Sequence, residues 1–396
     1  MTVNFGTVSS REVIRSLESA GYEAVFVGGA VRDFLLDKTP TDMDIATSAE
    51  PSEVKAVFPM TVDIGTKHGT VLVLMKGEPI EVTTFRTESI YTDHRRPDEV
   101  RFVKSLSEDL RRRDFTMNAL AMTLDGELID LFGGKADLTN RIIRAVGNAT
   151  DRFQEDALRM FRAIRFTAVL DFEIEEKTLE AIRINAEQIC HVSVERLKAE
   201  MDKLFSGEYP INAFLYIQAT GIASHLPLFP KDIEKLNKTA PFETPSEGWA
   251  SFMIAGDFSP SDIVKAYKLS NVDRMFLSSV NDAYANRLNR QFTFEDYYLN
   301  DLSVLLTTEK IFSTFHAHNE TIMATEIKRM KESLAIQSIK DLAVDGGKLM
   351  EWTSQPGGRW LGEWIGKIEK AVLHGSLQNE PNDIKEWFLN EFNGEK

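Results

Sequence analysis

The chain has a single cysteine, Cys190, among its 396 residues. One cysteine excludes an internal disulfide and a zinc site built from several cysteines. No apolar run approaches the roughly eighteen residues that a membrane-spanning helix needs. The first residues, MTVNFGTVSSREV, lack the basic start and the apolar stretch of a signal peptide. These absences predict a cytoplasmic protein that has no membrane partner.

Basic residues are also outnumbered in this chain. Lys and Arg total 46 against 61 Asp and Glu, so the net charge is −15. A nucleic acid could therefore be bound only by arginines concentrated along a local path. The hydrophobic content of 43% is typical of a globular protein, and the length predicts two to four domains.

The most informative stretch of the chain is FVGGAVRDFLLDKTPTDMDIAT, from Phe26 to Thr47. We interpret it as a buried strand, a glycine turn, a short amphipathic segment and a second strand that carries Asp42 and Asp44. Alternate side chains of a strand point to the same face, so the two aspartates are expected to share one face. Two carboxylates on one face can hold Mg²⁺ ions that bind a nucleoside triphosphate.

Residues near the glycine turn indicate phosphate binding. Gly28 and Gly29 have no Cβ, so backbone N–H groups can approach phosphates closely. Arg32 follows on the next turn, where it could bind a phosphate while Asp33 braces it. Farther along, the strand predicted over 79–86 carries Glu81 as a candidate third carboxylate, although an ordinary exposed strand residue is the alternative.

This ordered set of motifs resembles the polymerase-β-like nucleotidyltransferases, in the branch of tRNA nucleotidyltransferases and bacterial poly(A) polymerases. In that family the two aspartates, here Asp42 and Asp44, hold the catalytic metal ions. A strand like that of Glu81 supplies an acidic residue in the family, which favours a functional role for Glu81.

A second string, RRDFTMNAL, resembles the second motif of the same family. The resemblance implies that Arg113 contacts the triphosphate, that Asp114 reads the ribose 2′-OH and that Asn118 belongs to the same nucleotide site. We interpret the neighbouring Arg111 and Arg112 as a solvated helix face, because a run of charge usually meets water.

The periodicity of DRFQEDALRMFRAIRFTAVL predicts one amphipathic helix from residue 151 onward. Asp156, Arg159 and Arg162 form its polar stripe, and Arg165 lies at the border. A charged face that only meets water is the alternative. EDALR matches the family's fourth motif, and the resemblance implies that Arg162 and Arg165 reinforce the pocket or contact phosphate.

The chemistry of Asp156 and Arg159 suits the recognition of two bases. Cytosine and adenine each present an amino donor beside a ring-nitrogen acceptor, which a carboxylate and a guanidinium can bind. Uracil and guanine present the reverse order, so they would leave buried polar groups unpaired. Side chains would therefore replace a nucleic-acid template.

Two further segments match the family. Between Arg86 and Arg101 the string TESIYTDHRRPDEV predicts a mobile loop, with a plain surface connection as the alternative. In tRNA nucleotidyltransferases a flexible loop here is needed for the final adenosine, so its full length favours complete CCA addition. The helix predicted over 192–205 resembles the fifth motif, where a structural role and a ligand contact are equally open.

The resemblance implies an α+β fold and an order of domains. A polymerase-β-like nucleotidyltransferase head with a mixed sheet and helices occupies 1–150, and the remainder is all-α. A strand predicted over 142–146 closes the head. A neck over 151–206 recognises the base, and a body over 207–300 precedes a tail over 301–396 that binds tRNA.

The implied activity is that of a Mg²⁺-dependent ATP(CTP):tRNA nucleotidyltransferase that builds or repairs the 3′-terminal CCA. Its implied partners are CTP, ATP and the acceptor–TΨC arm of tRNA, and a homodimer is left open. The alternatives are a poly(A) polymerase, an A-adding or CC-adding enzyme, and a non-catalytic RNA-binding protein. The intact loop stands against a CC-adding enzyme, and an A-adding enzyme stays open.

Overall fold

The structure is a computed structural model that describes residues 5–40, 42–65, 69–88, 100–316 and 320–394. Most of the loop predicted between Arg86 and Arg101 lies outside these residues. Within them, no helix has the length and apolar character needed to cross a membrane. The chain divides into two compact units, which we treat separately: one comprises 1–231, 240–248 and 265–268, and the other comprises 232–239, 249–264 and 269–396.

The strands belong to the first unit, and seven of them form one mixed sheet. Their order across the sheet is β3-β4-β5-β2-β1-β8-β9, with β2 and β5 parallel and the other neighbours antiparallel. The strands are β1 (Ala24–Val27), β2 (Asp44–Thr47), β3 (Thr61–Gly65), β4 (Thr70–Met75), β5 (Glu78–Thr84), β6 (Arg86–Glu88), β7 (Val100–Phe102), β8 (Leu120–Met122), β9 (Leu128–Asp130), β10 (Ile142–Ile143) and β11 (Glu173–Ile174).

α-Helices are the most frequent regular elements of the described chain. They are α1 (Val8–Ser19), α2 (Gly29–Leu35), α3 (Pro51–Val57), α4 (Leu106–Arg111), α5 (Gly134–Asn140), α6 (Ala149–Glu155), α7 (Leu158–Leu170), α8 (Glu176–Asn185), α9 (Val194–Phe205), α10 (Pro210–Ala219), α11 (Ile233–Thr239), α12 (Pro245–Ala255), α13 (Pro260–Tyr267), α14 (Asn271–Asn289), α15 (Phe294–Leu299), α16 (Leu302–His316), α17 (Glu320–Glu332), α18 (Gly346–Thr353), α19 (Arg359–Leu373) and α20 (Pro381–Gly394).

The two faces of the seven-stranded sheet are covered differently. One face buries Ile45, Val71 and Val82 completely, and α1 and α3 pack against it. On the other face, α4 covers the half built from β1, β2 and β8 by packing Leu106 and Leu110 against it. Asp44 and Glu81 lie on this second face, next to the covered half.

The second unit is helical and has its own cores. One core lies among α18, α19 and α20, where Trp364, Ile368 and Phe388 are buried together. Between α14 and α16, the guanidinium of Arg287 forms a buried ion pair with Glu309, with Nε to Oε2 at 2.7 Å. The predicted α+β class, with a mixed sheet followed by helices, is confirmed.

Three local predictions are wrong. Asp42 precedes β2 instead of lying within the strand. The strand predicted over 142–146 is limited to Ile142–Ile143, and it pairs with β11 in a separate two-stranded sheet. The helix predicted from 151 is interrupted, because Asp156 has an extended backbone (φ −146°, ψ 102°) between α6 and α7.

Candidate active site

A cavity of about 560 Å³ opens where the sheet meets α7 and α9 in the first unit. Eight arginines and four carboxylates are among its lining residues, so the cavity carries an excess of positive charge suited to an anionic ligand. It is lined by twelve of the predicted site residues: Gly28, Gly29, Arg32, Asp44, Glu81, Arg113, Asp114, Asn118, Asp156, Arg159, Arg162 and Arg165.

Asp44 and Glu81 are direct neighbours across the parallel pair β2–β5. Burial raises the pKa of Asp44, the Arg113 guanidinium opposes that rise, and the charge of Asp42 adds to it. Burial and then the charges of Asp44 and Asp42 raise the pKa of Glu81. Asp42 is exposed, and its charge contributes to the raised pKa values of both Asp44 and Glu81. The three predicted carboxylates therefore lie near one another, and a bound cation would reduce their mutual repulsion.

The glycine turn brings backbone close to this acidic neighbourhood. Gly28 has φ +71°, a left-handed value that disfavours residues with a Cβ. A Cβ at Gly28 would lie 3.1 Å from Nη1 of Arg113 and 3.7 Å from Oδ2 of Asp44. A Cβ at Gly29 would lie 3.6 Å from Nη2 of Arg32, which is an ordinary contact.

A chain of hydrogen bonds crosses the cavity from α2 to α7. Arg32 donates from Nε to Oδ1 of Asp33 at 2.9 Å and from Nη1 to the side-chain Oδ1 of Asn118 at 2.8 Å. Asn118 donates from Nδ2 to Oδ1 of Asp114 at 3.0 Å. Arg162 donates from Nε and Nη2 to Oδ2 of Asp114, at 2.9 and 2.6 Å.

Asp114 is therefore fully engaged as an acceptor. Its Oδ1 also accepts from the Phe115 N–H at 2.8 Å, so each carboxylate oxygen accepts two hydrogen bonds. Burial would raise the pKa of the Asp114 carboxyl, but Arg162 and the hydrogen bonds from Asn118 and Arg162 outweigh burial and hold the pKa well below its ordinary value. Asp114 stays ionised and fixes Arg162.

A second buried carboxylate, Asp109, fixes two more arginines. Its Oδ1 accepts from Nε and Nη2 of Arg112 at 3.0 and 2.6 Å, and its Oδ2 accepts from Nε and Nη2 of Arg113 at 3.4 and 3.1 Å. Burial opposes ionisation of Asp109, but the two arginines lower its pKa below the ordinary value. The expected solvated position of Arg112 is wrong, whereas Arg111 is exposed.

Asp156 and Arg159 each have protein partners inside the cavity. Asp156 accepts from Nη1 and Nη2 of Arg196 at 3.0 and 2.7 Å, and its Oδ1 also caps α7 through the Leu158 N–H at 3.1 Å. Arg159 donates to Oε2 of Glu155 at 2.9 Å and to the Arg112 carbonyl at 3.0 Å. The two side chains are thus oriented by α6, α9 and the turn after α4.

Arg165 completes the row on α7. It is buried and donates from Nε to Oε2 of Glu200 at 2.9 Å. Its guanidinium carbon lies 3.6 Å from the ring centroid of Phe166. Burial lowers the pKa of Arg165 to about 10, while the Glu200 carboxylate opposes that change. Glu200 therefore orients Arg165 in the helix packing of the first unit.

Sequence reasoning missed several residues at this site, above all Asp109 and Phe166. The position of Asp109 three and four residues before Arg112 and Arg113 is the spacing of neighbours on one helical face, so that signal was present. Arg196 lies in the helix that resembles the fifth motif. No local pattern predicts its contact with Asp156, because forty residues separate the two side chains.

Three family models match consecutive parts of the chain. Residues 24–144 match the Poly A polymerase head domain, residues 171–232 match the probable RNA and SrmB-binding site of polymerase A, and residues 240–388 match the putative tRNA nucleotidyltransferase domain 2.

Curated relatives match almost the whole chain. The CCA-adding enzyme of Bacillus cytotoxicus is 43% identical over 381 residues, covering 95% of this chain and 96% of the relative. The CCA-adding enzyme of Bacillus mycoides is 41% identical over the same length and coverage. The chain is thus similar to these enzymes from end to end.

Solved structures agree with the sequence relatives. The crystal structure of the Bacillus stearothermophilus CCA-adding enzyme in complex with CTP superposes with a TM-score of 0.84 at 39% identity, covering 98% of each chain. The Thermotoga maritima CCA-adding enzyme complexed with tRNA superposes with a TM-score of 0.64 at 22% identity over 97% of this chain and 94% of the other, a likeness of fold alone. With relatives above 40% identity along nearly its full length, the chain belongs to the CCA-adding enzymes, a nucleotidyltransferase family that depends on a divalent metal ion.

Proposed function

We propose that the chain adds the 3′-terminal CCA to tRNA from CTP and ATP without a nucleic-acid template. The observation that carries this proposal is one cavity lined by the Asp44–Glu81 pair, an arginine cluster, Asp156 and Arg159. This cavity contains candidates for metal, triphosphate and base binding in a chain that is 39% identical to an enzyme crystallised with CTP. We also infer a cytoplasmic location, where bacterial tRNA is processed.

Asp44, Glu81 and Asp42 would hold Mg²⁺. All three offer carboxylate oxygens, the donors that Mg²⁺ prefers, and their mutual repulsion supports a site built to receive a cation. Among the described residues, no group of three or more His, Cys, Asp or Glu is already close enough to hold a metal ion. Bound Mg²⁺ supplies a lowered pKa for the attacking 3′-OH and stabilises charge on the departing pyrophosphate.

Gly28, Gly29, Arg32 and Arg113 would bind the triphosphate. The backbone of Gly28 approaches both Asp44 and Arg113, so phosphates held there would lie beside the acidic pair. Asp33 and Asp109 hold the two arginines by charge-assisted hydrogen bonds, which reduces the entropy lost when the nucleotide binds. The arginines would then stabilise the charge that develops on pyrophosphate.

Asp114 and Asn118 would meet the ribose. Because the oxygens of Asp114 already accept four hydrogen bonds, accepting from a 2′-OH requires the exchange of one of them. The bond from the neutral Asn118 amide is weaker than the two from the Arg162 guanidinium, so we propose that Asn118 yields. Arg162 then keeps Asp114 ionised, as an acceptor that distinguishes a ribonucleotide from a deoxyribonucleotide.

Asp156 and Arg159 would bind the pairing edge of cytosine or adenine. Within the described part of the chain, Oδ2 of Asp156 accepts one hydrogen bond, from Arg196, so the oxygen keeps capacity for an amino group of the base. Arg159 is aimed by Glu155 and by the Arg112 carbonyl. Arg162 and Arg165 would support this wall of the pocket, and the helical body and tail would bind the acceptor–TΨC arm of tRNA.

The test is extension of a tRNA transcript that lacks its CCA, in Mg²⁺, with products sized on a gel. We expect two added residues with CTP alone and a third when ATP is also present. Chelation of the metal should stop extension. A long ladder of adenosines would indicate a poly(A) polymerase, and addition of adenosine to a CC end with no addition of cytidine to any end would indicate an A-adding enzyme. No extension would favour a non-catalytic RNA-binding protein.

A further inference from the structure

One row of side chains crosses four strands of the sheet, starting at the carboxylate pair. Asp44 on β2 pairs with Glu81 on β5, Glu81 pairs with Leu72 on β4, and Leu72 pairs with Val62 on β3. Neighbouring strands lie about 4.8 Å apart, so Leu72 is about 10 Å and Val62 about 14 Å from Asp44 along this row. The row therefore runs from the reacting centre to the edge of the sheet.

All four side chains of this row point to the same face. Asp63, the next residue on β3, points the other way, because its carboxylate pairs with Lys55 of α3 at 2.6 Å. Val71 and Val73 on β4 also point to the α3 side and are fully buried. The row belongs to the face that opens into the active-site cavity.

The outer half of this face is apolar and partly exposed. Met60 and Val62 are 61% and 45% exposed, and Leu72 and Leu74 are half-buried. The Met60 carbonyl accepts from the Leu74 N–H at 2.9 Å, which continues the antiparallel pairing one residue beyond β3. We call Met60, Val62, Leu72 and Leu74 the outer shelf; exposed apolar clusters of this kind mark binding surfaces.

The order of the strands gives the direction from which the acceptor must arrive. Gly28 follows β1, so the triphosphate that we propose there lies on the β1 side of Asp44. In phosphoryl transfer the attacking and leaving oxygens are roughly in line. If pyrophosphate departs toward β1, the attacking 3′-OH approaches from the opposite side, over β5 and β4.

We propose that the outer shelf holds the unpaired terminal nucleobase of the RNA acceptor; this inference rests on the proposed function. The nucleotide that carries the 3′-OH beside Asp44 would place its base over Leu72 and Val62. The faces of nucleobases are weakly polar, and single-stranded ends bind through such faces without regard to sequence. The shelf side chains carry no strong hydrogen-bonding groups, so the surface accepts whichever base ends the acceptor, as successive additions to ends of different base identity require.

The test compares the double variant Met60→Gln/Val62→Thr with the wild-type chain. Both substitutions keep side-chain size, and both sites are exposed, so the fold should be unaffected. The matched control is Val8→Thr, at a valine 72% exposed on α1, which packs on the opposite face of the sheet. The acceptors are a tRNA transcript lacking CCA and the same transcript ending in an abasic nucleotide with a free 3′-OH.

We expect the double variant to raise the KM for the normal acceptor about fivefold while the KM for CTP stays unchanged. On the abasic acceptor the two proteins should be equal, because the base that contacts the shelf is missing. An unchanged acceptor KM, or the same loss on the abasic acceptor, would overturn the inference. A changed sedimentation coefficient with an unchanged acceptor KM would also overturn it, by assigning the shelf to a second copy of the chain.

Failure of the proposed function gives a different result from failure of the shelf. If the wild-type chain extends no acceptor, both the function and this inference are overturned. If the wild-type chain extends normally and the double variant matches it on both acceptors, only the inference about the shelf is overturned.

Discussion

The carboxylates at the two ends of the cavity have opposite electrostatic environments. At the strand end, burial and the charges of neighbouring carboxylates raise the pKa values of Asp44 and Glu81. At the helical end, arginine contacts outweigh burial and lower the pKa values of Asp109 and Asp114. Carboxylates thus serve two purposes in this chain: a bound cation would stabilise the ionised forms of Asp44 and Glu81, whereas Asp109 and Asp114 orient arginines.

The largest effect should come from breaking the strand end. Asp44→Asn keeps the size of the side chain and removes the charge that would hold Mg²⁺, so we expect turnover with CTP to fall by about 10³-fold or more. Nucleotide binding should persist, because the arginines are untouched. Single-turnover extension and equilibrium CTP binding measure the two quantities.

Asp63→Asn is the matched control for Asp44→Asn. Asp63 lies in the same sheet but pairs with Lys55 on the opposite face, so turnover should stay near the wild-type value. Turnover by Asp44→Asn within tenfold of the wild type would contradict the metal assignment.

A smaller but clear effect should come from Asp109→Asn at the helical end. The substitution removes the carboxylate charge with which both Arg112 and Arg113 pair. We expect the free energy of unfolding to fall by about 2 kcal/mol at neutral pH. The folded-state pKa of Asp109 lies below its ordinary value of 3.8, so this stability is present above pH 3.8 and is lost as the pH falls toward the folded-state pKa.

Urea unfolding near pH 7 and near pH 3.5 checks this prediction. The Asp109→Asn variant should lose less stability on acidification than the wild type, and Glu108→Gln, at the exposed neighbouring position, should behave as the wild type does. Equal acid sensitivity of the Asp109→Asn variant and the wild type would show that Asp109 is not held ionised by the two arginines.

A third variant, Arg196→Met, tests how Asp156 is aimed. Loss of the bidentate contact should leave Asp156 less well oriented, so we expect the preference for CTP over UTP to fall about tenfold. The control is Lys198→Met on the same helix, whose partner Asp202 lies outside the cavity lining described here. Competition between CTP and UTP in one extension reaction measures the preference, and an unchanged ratio would rule out an orienting role.

The smallest expected effect is the difference in stability loss between alanine substitutions at the two glycines of the turn. Gly28→Ala should destabilise the fold by about 1–2 kcal/mol, because a Cβ is unfavourable at φ +71° and would crowd Arg113. Gly29→Ala has an ordinary contact and should cost less than half as much. Thermal unfolding of the two variants gives the comparison, and equal losses would contradict it.

Sequence reasoning predicted residues that line one cavity where those residues are neighbours along the chain. Short motifs contain the turn at Gly28 with the nearby Asp44, and the adjacent Arg113 and Asp114. Twelve of the thirteen predicted site residues line one cavity. Sequence reasoning failed at Asp156, where helical periodicity continues through a break. Phe153 before the break and Met160 after it are both buried, so the apolar pattern does not reveal the interruption.

By itself, the sequence determined the residue types of the site, the glycine turn and the succession of a mixed sheet and helices, because these depend on local backbone preferences and side-chain chemistry. Only the tertiary structure decided which charged side chains lie next to one another. Register across β2 and β5 joins Asp44 to Glu81, and packing of α9 against α7 joins Arg196 to Asp156. Such pairings depend on distances between elements that are far apart in the chain, so the periodicity within a single element cannot predict them.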